Sequence, residues 1–204
     1  MSMWDERYAE ERFFYGTQPN DFLRTHAAAI RPGGRVLCLG EGEGRNAVFL
    51  AGLGLAVVAL DQSEVGLHKA LQLAATRGVS ISMLQASLEN YSIEPGDWDA
   101  IVSIWCHLPS SLRGKVHRQI GAGLKPGGLF LLEAYRPEQL KFGTGGPKDA
   151  DMLATLAQLR GELSGLEFEY AAESERDVQE GQGHAAGARS YRYSRARLAE
   201  PALT

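Results

Sequence analysis

The sequence predicts an α/β protein built on a mostly parallel sheet. Apolar runs of strand length alternate with helix-length amphipathic segments between residues 36 and 133. Near the C terminus two strand-like segments follow one another with no helix between them, which predicts an antiparallel pair. We therefore expect a seven-stranded, mostly parallel sheet that ends in a C-terminal antiparallel hairpin and carries helices on both faces.

Length and composition indicate one domain. The chain has 204 residues and 44% hydrophobic content, enough for a sizeable core, so we expect a single domain over residues 1–204. Residues 1–29 precede the first strand as a helical or cap segment. Its aromatic residues predict either helix packing or a cover over a site: Trp4, Tyr8, Phe13, Phe14, Tyr15 and Phe22.

We expect the first four strands to be apolar runs. We also expect one helix to end at Gly78 and another to end at Lys125–Gly128. Leu129–Glu133 is the fifth strand, continuously apolar as in sheets covered on both faces. Ser110 or Ser111 is expected to cap the helix before Lys125. The other expected strands are Val36–Leu39, Leu55–Leu60, Val79–Gln85 and Asp99–Trp105.

The C-terminal third departs from this alternation. Met152, Leu156, Leu159 and Leu163 share a helical spacing. The two segments that should pair antiparallel are Leu166–Ala172 and Arg189–Arg197. The polar stretch between them, Glu173–Ala188, is too long for a tight turn and is expected to form a mobile surface loop.

Charge and hydropathy exclude several function classes. The net charge is −4, and lysines and arginines are scattered, so we expect no nucleic-acid partner and no membrane partner. No apolar run approaches the roughly 18 residues of a membrane span, and Met1–Glu11 is too charged for a secretory signal, which predicts a cytoplasmic protein. One group of arginines comes close to a basic patch, but a solvent-exposed strand face explains it: Arg189, Arg192, Arg195 and Arg197.

A glycine-rich turn after the first strand predicts a nucleotide site. Gly40–Gly44 reads Gly-Glu-Gly-Glu-Gly, and Asp61 closes the second strand, where a carboxylate can hold both hydroxyls of a ribose. The third glycine comes one residue earlier than in the dinucleotide fingerprint, and Glu41 and Glu43 would repel a pyrophosphate. A cationic sulfonium with an ammonium group would suffer no such repulsion. A plain structural turn is the alternative.

With its hairpin and Lys125–Gly128 before the fifth strand, the chain resembles the class I S-adenosylmethionine-dependent methyltransferases, which implies a Rossmann-like fold. Three segments are similar to the tellurite-resistance branch of that family: Trp4–Tyr8, Tyr15–Leu23 and Gly44–Ala47.

The resemblance implies a set of cofactor contacts. Asp61 would bind the ribose, and Cys38 stands where the family usually has an acid near the methionine ammonium, so that task would pass to Glu41 or to backbone carbonyls. The residues implied at the methionine end are Gly40, Glu41, Gly42, Arg45 and Ile104, and those implied at the adenine are Gln62, Ser87 and Leu88.

Two residues beyond strand ends are candidates for catalysis. His107 follows the fourth strand and could accept a proton near neutral pH, and Tyr135 follows the fifth and could orient an acceptor. Either could instead only order its loop. The five histidines are dispersed and the two cysteines lack metal-ligand spacing, so no metal is expected.

We therefore expect a methyltransferase that uses S-adenosylmethionine, releases S-adenosylhomocysteine and acts on a small-molecule acceptor. A thiol or a selenium or tellurium oxyanion is the acceptor class that the branch resemblance implies. Two other functions stay open: an NAD(P)-dependent oxidoreductase and a non-catalytic cofactor-binding or interaction protein.

Overall fold

A single seven-stranded sheet forms the centre of the computed structural model, which describes residues 2–177, 180–181 and 188–197, with the backbone alone for 176–177 and 188–195. The strand order is β3-β2-β1-β4-β5-β7-β6, and β7 pairs antiparallel with both of its neighbours. The expected mostly parallel sheet with a C-terminal hairpin is confirmed. The strands are β1 (Arg35–Leu39), β2 (Ala56–Asp61), β3 (Ser82–Gln85), β4 (Trp98–Ile104), β5 (Leu124–Tyr135), β6 (Glu167–Asp177) and β7 (Ala188–Arg197).

Helices cover both faces of the sheet, as expected. One apolar core contains Leu23, Leu50 and Leu67, and the other contains Ile120 and Leu159. None of the helices in the described part of the chain is long and apolar enough to cross a membrane. The helices are α1 (Met3–Tyr8), α2 (Asp21–His26), α3 (Arg45–Gly52), α4 (Glu64–Thr76), α5 (Ser110–Gly123) and α6 (Leu156–Glu162).

Long-range contacts shift two boundaries from their expected places. Lys125–Gly128, expected to separate a helix from the fifth strand, lies inside β5. Leu124 already pairs with Trp98, and the register between β4 and β5 shifts before Ala100 pairs with Leu129. The expected serine cap of α5 is wrong: Pro109 occupies the N-cap position without a side-chain bond. The Ser110 amide donates instead to Asp151 Oδ2 at 2.9 Å.

The expectation of a surface loop over Glu173–Ala188 is wrong for the described residues. Strand β6 continues to Asp177, and the Glu180 side chain is buried. A Cβ on Gly181 would lie 2.4 Å from the carbonyl oxygen of Phe14, so Gly181 packs tightly on the N-terminal segment. Residues 182–187 and the side chains of the expected arginine face at 189–195 lie outside the described part.

Candidate active site

A pocket of about 350 Å³ opens at the carboxyl edge of the parallel strands. Its walls come from the turn after β1, the end of β2, and the segments that follow β3 and β4. In open α/β sheets this edge is where ligands bind, because the strand order reverses there and leaves a crevice. The reversal here lies between β1 and β4.

The glycine-rich turn is fixed to Asp61. The Gly42 amide donates to Asp61 Oδ2 and the Ser63 amide donates to Oδ1, both at 2.8 Å. Burial raises the pKa of Asp61, and these amides oppose that rise. Gly42 has φ +62°, and a Cβ there would lie 2.6 Å from the Tyr8 hydroxyl. Since a carboxylate accepts about four hydrogen bonds, Asp61 keeps acceptor capacity toward the pocket.

Glu41 places a buried carboxyl group beside Cys38. Its Oε1 accepts from the amides of Asn46 and Ala47 at 3.0 and 2.7 Å, which satisfies the first turn of α3. Burial raises the pKa of Glu41 to about 7, although the Ala47 amide and Arg45 lower it. Burial and Glu41 together raise the pKa of the Cys38 thiol, so the two side chains are neighbours.

A buried lysine holds the N-terminal segment (residues 2–29) against this turn. Lys69 Nζ lies 2.5 Å from Glu43 Oε1 and donates to the carbonyl oxygens of Glu10 and Arg12, each at 2.8 Å. Glu43 Oε2 accepts from the Phe14 amide at 2.8 Å. Four residues of the N-terminal segment line the pocket as a result: Trp4, Tyr8, Tyr15 and Gly16.

Glu180 binds two residues that line the pocket, Arg45 and Trp105, and one that lies outside the lining, Asn20. Its Oε2 lies 2.5 Å from Arg45 Nη2 and accepts from Trp105 Nε1 at 2.8 Å. Its Oε1 accepts from Asn20 Nδ2 at 2.9 Å, and the same amide nitrogen donates to the fully buried Glu133. Trp105 has φ +57°, a strained value for a bulky residue.

His107 and Tyr135 form a stacked pair at the strand ends. The Tyr135 amide donates to His107 Nε2 at 3.1 Å, so a neutral His107 carries its proton on Nδ1. Their ring centroids are 5.3 Å apart, and Tyr135 also stacks on Trp105 at 4.5 Å. His107 lines the pocket, whereas Tyr135 is 1% exposed and supports the wall from behind.

Most of the residues expected at the site surround this one pocket. Gly42 and Tyr135 lie behind its surface. Sequence reasoning did not name Asn20 and Glu180 as site residues. Asn20 falls within the Tyr15–Leu23 segment, to which no site role was given, and Glu180 lies in a polar stretch that predicts a loop. The expected residues that line the pocket are Gly40, Glu41, Arg45, Asp61, Gln62, Ser87, Leu88, Ile104 and His107.

Several known proteins resemble all or part of the chain. Residues 36–128 match a family model described as a methyltransferase domain. A ribosomal protein L11 methyltransferase of Symbiobacterium thermophilum is 35% identical over 103 residues, which are 50% of this chain and 32% of that protein. An uncharacterized methyltransferase of Synechocystis is 36% identical over 122 residues, which are 56% of this chain and 53% of that protein.

The chain thus spans about a third and about half of the length of these two curated relatives. Among solved structures, TehB from Haemophilus influenzae superposes with a TM-score of 0.73 at 19% identity, covering 95% of this chain and 65% of that one. This likeness concerns the fold. Residues 36–128 thus match a methyltransferase domain, and most of the chain shares its fold with TehB.

Proposed function

We propose that the protein transfers a methyl group from S-adenosylmethionine to a small-molecule acceptor and releases S-adenosylhomocysteine. The observation that carries this proposal is the hydrogen bond between the Gly40–Gly44 turn and Asp61, at the carboxyl ends of β1 and β2. The turn offers backbone without a Cβ, and the carboxylate keeps acceptor capacity for two ribose hydroxyls. The matched methyltransferase domain contains both.

The residues around the pocket fit the cofactor's charge pattern. Glu41 would face the methionine ammonium, in place of the acid that Cys38 replaces, and Gly40 and Gly42 would bring their backbone close to the methionine. Asp61 would hold the ribose, while Gln62 would lie beside the adenine. The remaining contacts are proposed from Arg45, Ser87, Leu88 and Ile104.

Bound S-adenosylmethionine supplies an activated methyl group on a sulfonium, whose leaving group needs no proton. The protein's own task is therefore alignment and exclusion of water, and well-oriented reactants gain roughly 7–11 kcal/mol. The N-terminal segment contributes to both, because the Lys69–Glu43 pair holds its aromatic residues over the pocket.

His107 and Tyr135 are proposed for the acceptor side. His107 lines the pocket, but its Nε2 already accepts the Tyr135 amide, so proton uptake at that nitrogen requires this bond to break. A base role for His107 predicts that His107→Gln removes an ionisation near neutral pH from the pH profile of kcat. An unchanged profile with a raised KM would assign His107 to shaping the wall.

The acceptor class is proposed as a soft nucleophile, either a thiol or a selenium or tellurium oxyanion. A volume near 350 Å³ stands at the lower end of the 300–1,000 Å³ that small-molecule pockets occupy, which favours a small acceptor beside the cofactor. The similarity of the fold to that of TehB and the sequence resemblance to the tellurite-resistance branch support an oxyanion acceptor by analogy.

The test is transfer of a labelled methyl group to selenite, tellurite and small thiols, with Asp61→Ala as the control of weakened cofactor binding. Labelled product from any of these acceptors supports the proposal. Tight S-adenosylmethionine binding without transfer to any acceptor would favour the non-catalytic alternative. Binding of NADH or NADPH in its place would favour the oxidoreductase.

A further inference from the structure

A buried ion pair fixes one residue of the pocket lining, Arg45. Arg45 and Glu180 have side chains that are each 8% exposed, and Arg45 Nη2 lies 2.5 Å from Glu180 Oε2. The two residues are separated by 135 positions in the chain. The pair is therefore a product of the fold, and it places Glu180, which follows β6 in the chain, against the first turn of α3.

Glu180 is held in place by groups other than Arg45. Trp105 Nε1 and Asn20 Nδ2 both donate to its carboxylate, at 2.8 and 2.9 Å. The following residue, Gly181, has φ +60° and no room for a Cβ against Phe14. The carboxylate thus has one defined position beside Arg45.

The pairing decides the charge that the pocket presents. Arg45 is the one lysine or arginine among the described residues that line the pocket. Without Glu180 it would offer a cation to any anionic ligand, as guanidinium groups do for carboxylates and oxyanions. With Glu180 at 2.5 Å, that charge is cancelled. The other charged lining groups are acidic: Glu41, Glu43, Asp61 and Glu89.

We propose that Glu180 is a specificity-determining residue that cancels the charge of Arg45 and thereby selects an uncharged acceptor, such as a neutral thiol, over an anionic one. This inference rests on the proposed methyltransferase function, in which Arg45 lies at the methionine end of the cofactor, beside the sulfonium methyl group that the acceptor attacks. It chooses between the two acceptor classes of that function. In the transfer, the acceptor sulfur bonds to the methyl carbon while the methyl–sulfonium bond breaks with its electron pair on the leaving sulfur. The thiol proton leaves to water.

Two thiols that differ in charge provide the kinetic test. 2-Mercaptoethanol is neutral and mercaptoacetate carries a carboxylate, so the ratio of their kcat/KM values reports charge selection. We expect the wild type to prefer 2-mercaptoethanol and Glu180→Gln to shift the ratio at least tenfold toward mercaptoacetate. Glu162→Gln is the matched control, because Glu162 pairs with a buried arginine, Arg113, outside the pocket. An equal ratio in all three proteins overturns the proposal.

A binding measurement decides the matter even if no thiol is methylated. Selenite is titrated by calorimetry into the protein saturated with S-adenosylhomocysteine. We expect binding to Glu180→Gln and at least tenfold weaker binding to the wild type and to Glu162→Gln. Selenite that binds the wild type as tightly, or that fails to bind Glu180→Gln, overturns the proposal. Absence of S-adenosylhomocysteine binding in the wild type would instead refute the proposed function.

Glu180→Gln leaves Arg45 buried without its carboxylate, so this variant can lose stability. Selenite should then act as a replacement partner and raise the Tm of Glu180→Gln by more than it raises the Tm of the wild type. An equal shift in both proteins overturns the proposal. Since this readout follows folding, it remains decisive for a weakly folded variant.

Discussion

Replacing Glu41 by Gln should stabilise the fold while weakening cofactor binding. The pKa of Glu41 is raised from 4.5 to about 7, first by burial, so the folded protein disfavours the ionised side chain. Gln keeps a carbonyl oxygen that can accept the amides of Asn46 and Ala47, so the cap of α3 survives. The substitution therefore removes the charge and leaves the hydrogen-bond geometry in place.

The magnitude follows from proton linkage. The folded state holds the Glu41 proton more tightly than the unfolded state, so the contribution of Glu41 to stability is greatest below pH 4.5 and is lost as the pH rises through about 7. Between pH 5 and pH 8 this loss is about 2–3 kcal/mol. Glu41→Gln has no ionisable group at this position and does not suffer this loss. The stability advantage of the variant over the wild type should therefore grow by that amount between pH 5 and pH 8.

Denaturant unfolding of both proteins at pH 5 and pH 8 measures this change. Glu162→Gln is the control of opposite sign: burial raises the pKa of Glu162, but bonds to His117 and Arg113 lower it to about 2. Its loss should cost stability at both pH values. S-adenosylmethionine should bind Glu41→Gln at least tenfold more weakly at pH 8. A stability difference that is the same at pH 5 and pH 8, or unchanged cofactor affinity, would refute the reasoning.

Two further substitutions test how the N-terminal segment is held. Lys69→Met leaves the buried Glu43 without its lysine partner, so it should cost about 3–5 kcal/mol of folding stability and speed hydrogen exchange over residues 4–16. The exposed Lys115→Met should change neither stability nor exchange. Unchanged exchange in Lys69→Met would contradict the role of Lys69 in holding the N-terminal segment. Gly181→Ala must tolerate φ +60° and a contact of 2.4 Å, so it should lower the Tm clearly more than Gly165→Ala, where nothing lies within 4 Å, and equal Tm values would contradict the tight packing.

The sheet and much of the site follow from the sequence because their signals are local. Each parallel strand is an apolar run, and its carboxyl end falls at the same edge, so residues such as Gly40, Asp61 and Ser87 converge once the alternation is recognised.

The errors concern residues whose partners are distant in the chain. Glu180 lies in a polar, glycine-containing stretch that predicts a loop, and its burial depends on Arg45, 135 positions away. Likewise, the amide at the start of α5 is satisfied by Asp151, 41 positions on, so neither nearby serine is needed as a cap. Local composition carries no information on either contact.

Calorimetric titration with S-adenosylmethionine tests the central claim most directly, with S-adenosylhomocysteine, NADH and NADPH as companions. The proposed site predicts a Kd of about 1 μM or tighter for the first two compounds and no binding of the nicotinamides. Asp61→Ala should weaken binding about tenfold to hundredfold, since hydrogen bonds to a charged group contribute about 1.5–3 kcal/mol. Asp97→Ala, before β4 at the opposite edge, should bind as the wild type does. Nicotinamide binding, or no binding of S-adenosylmethionine by the wild type, would contradict the claim.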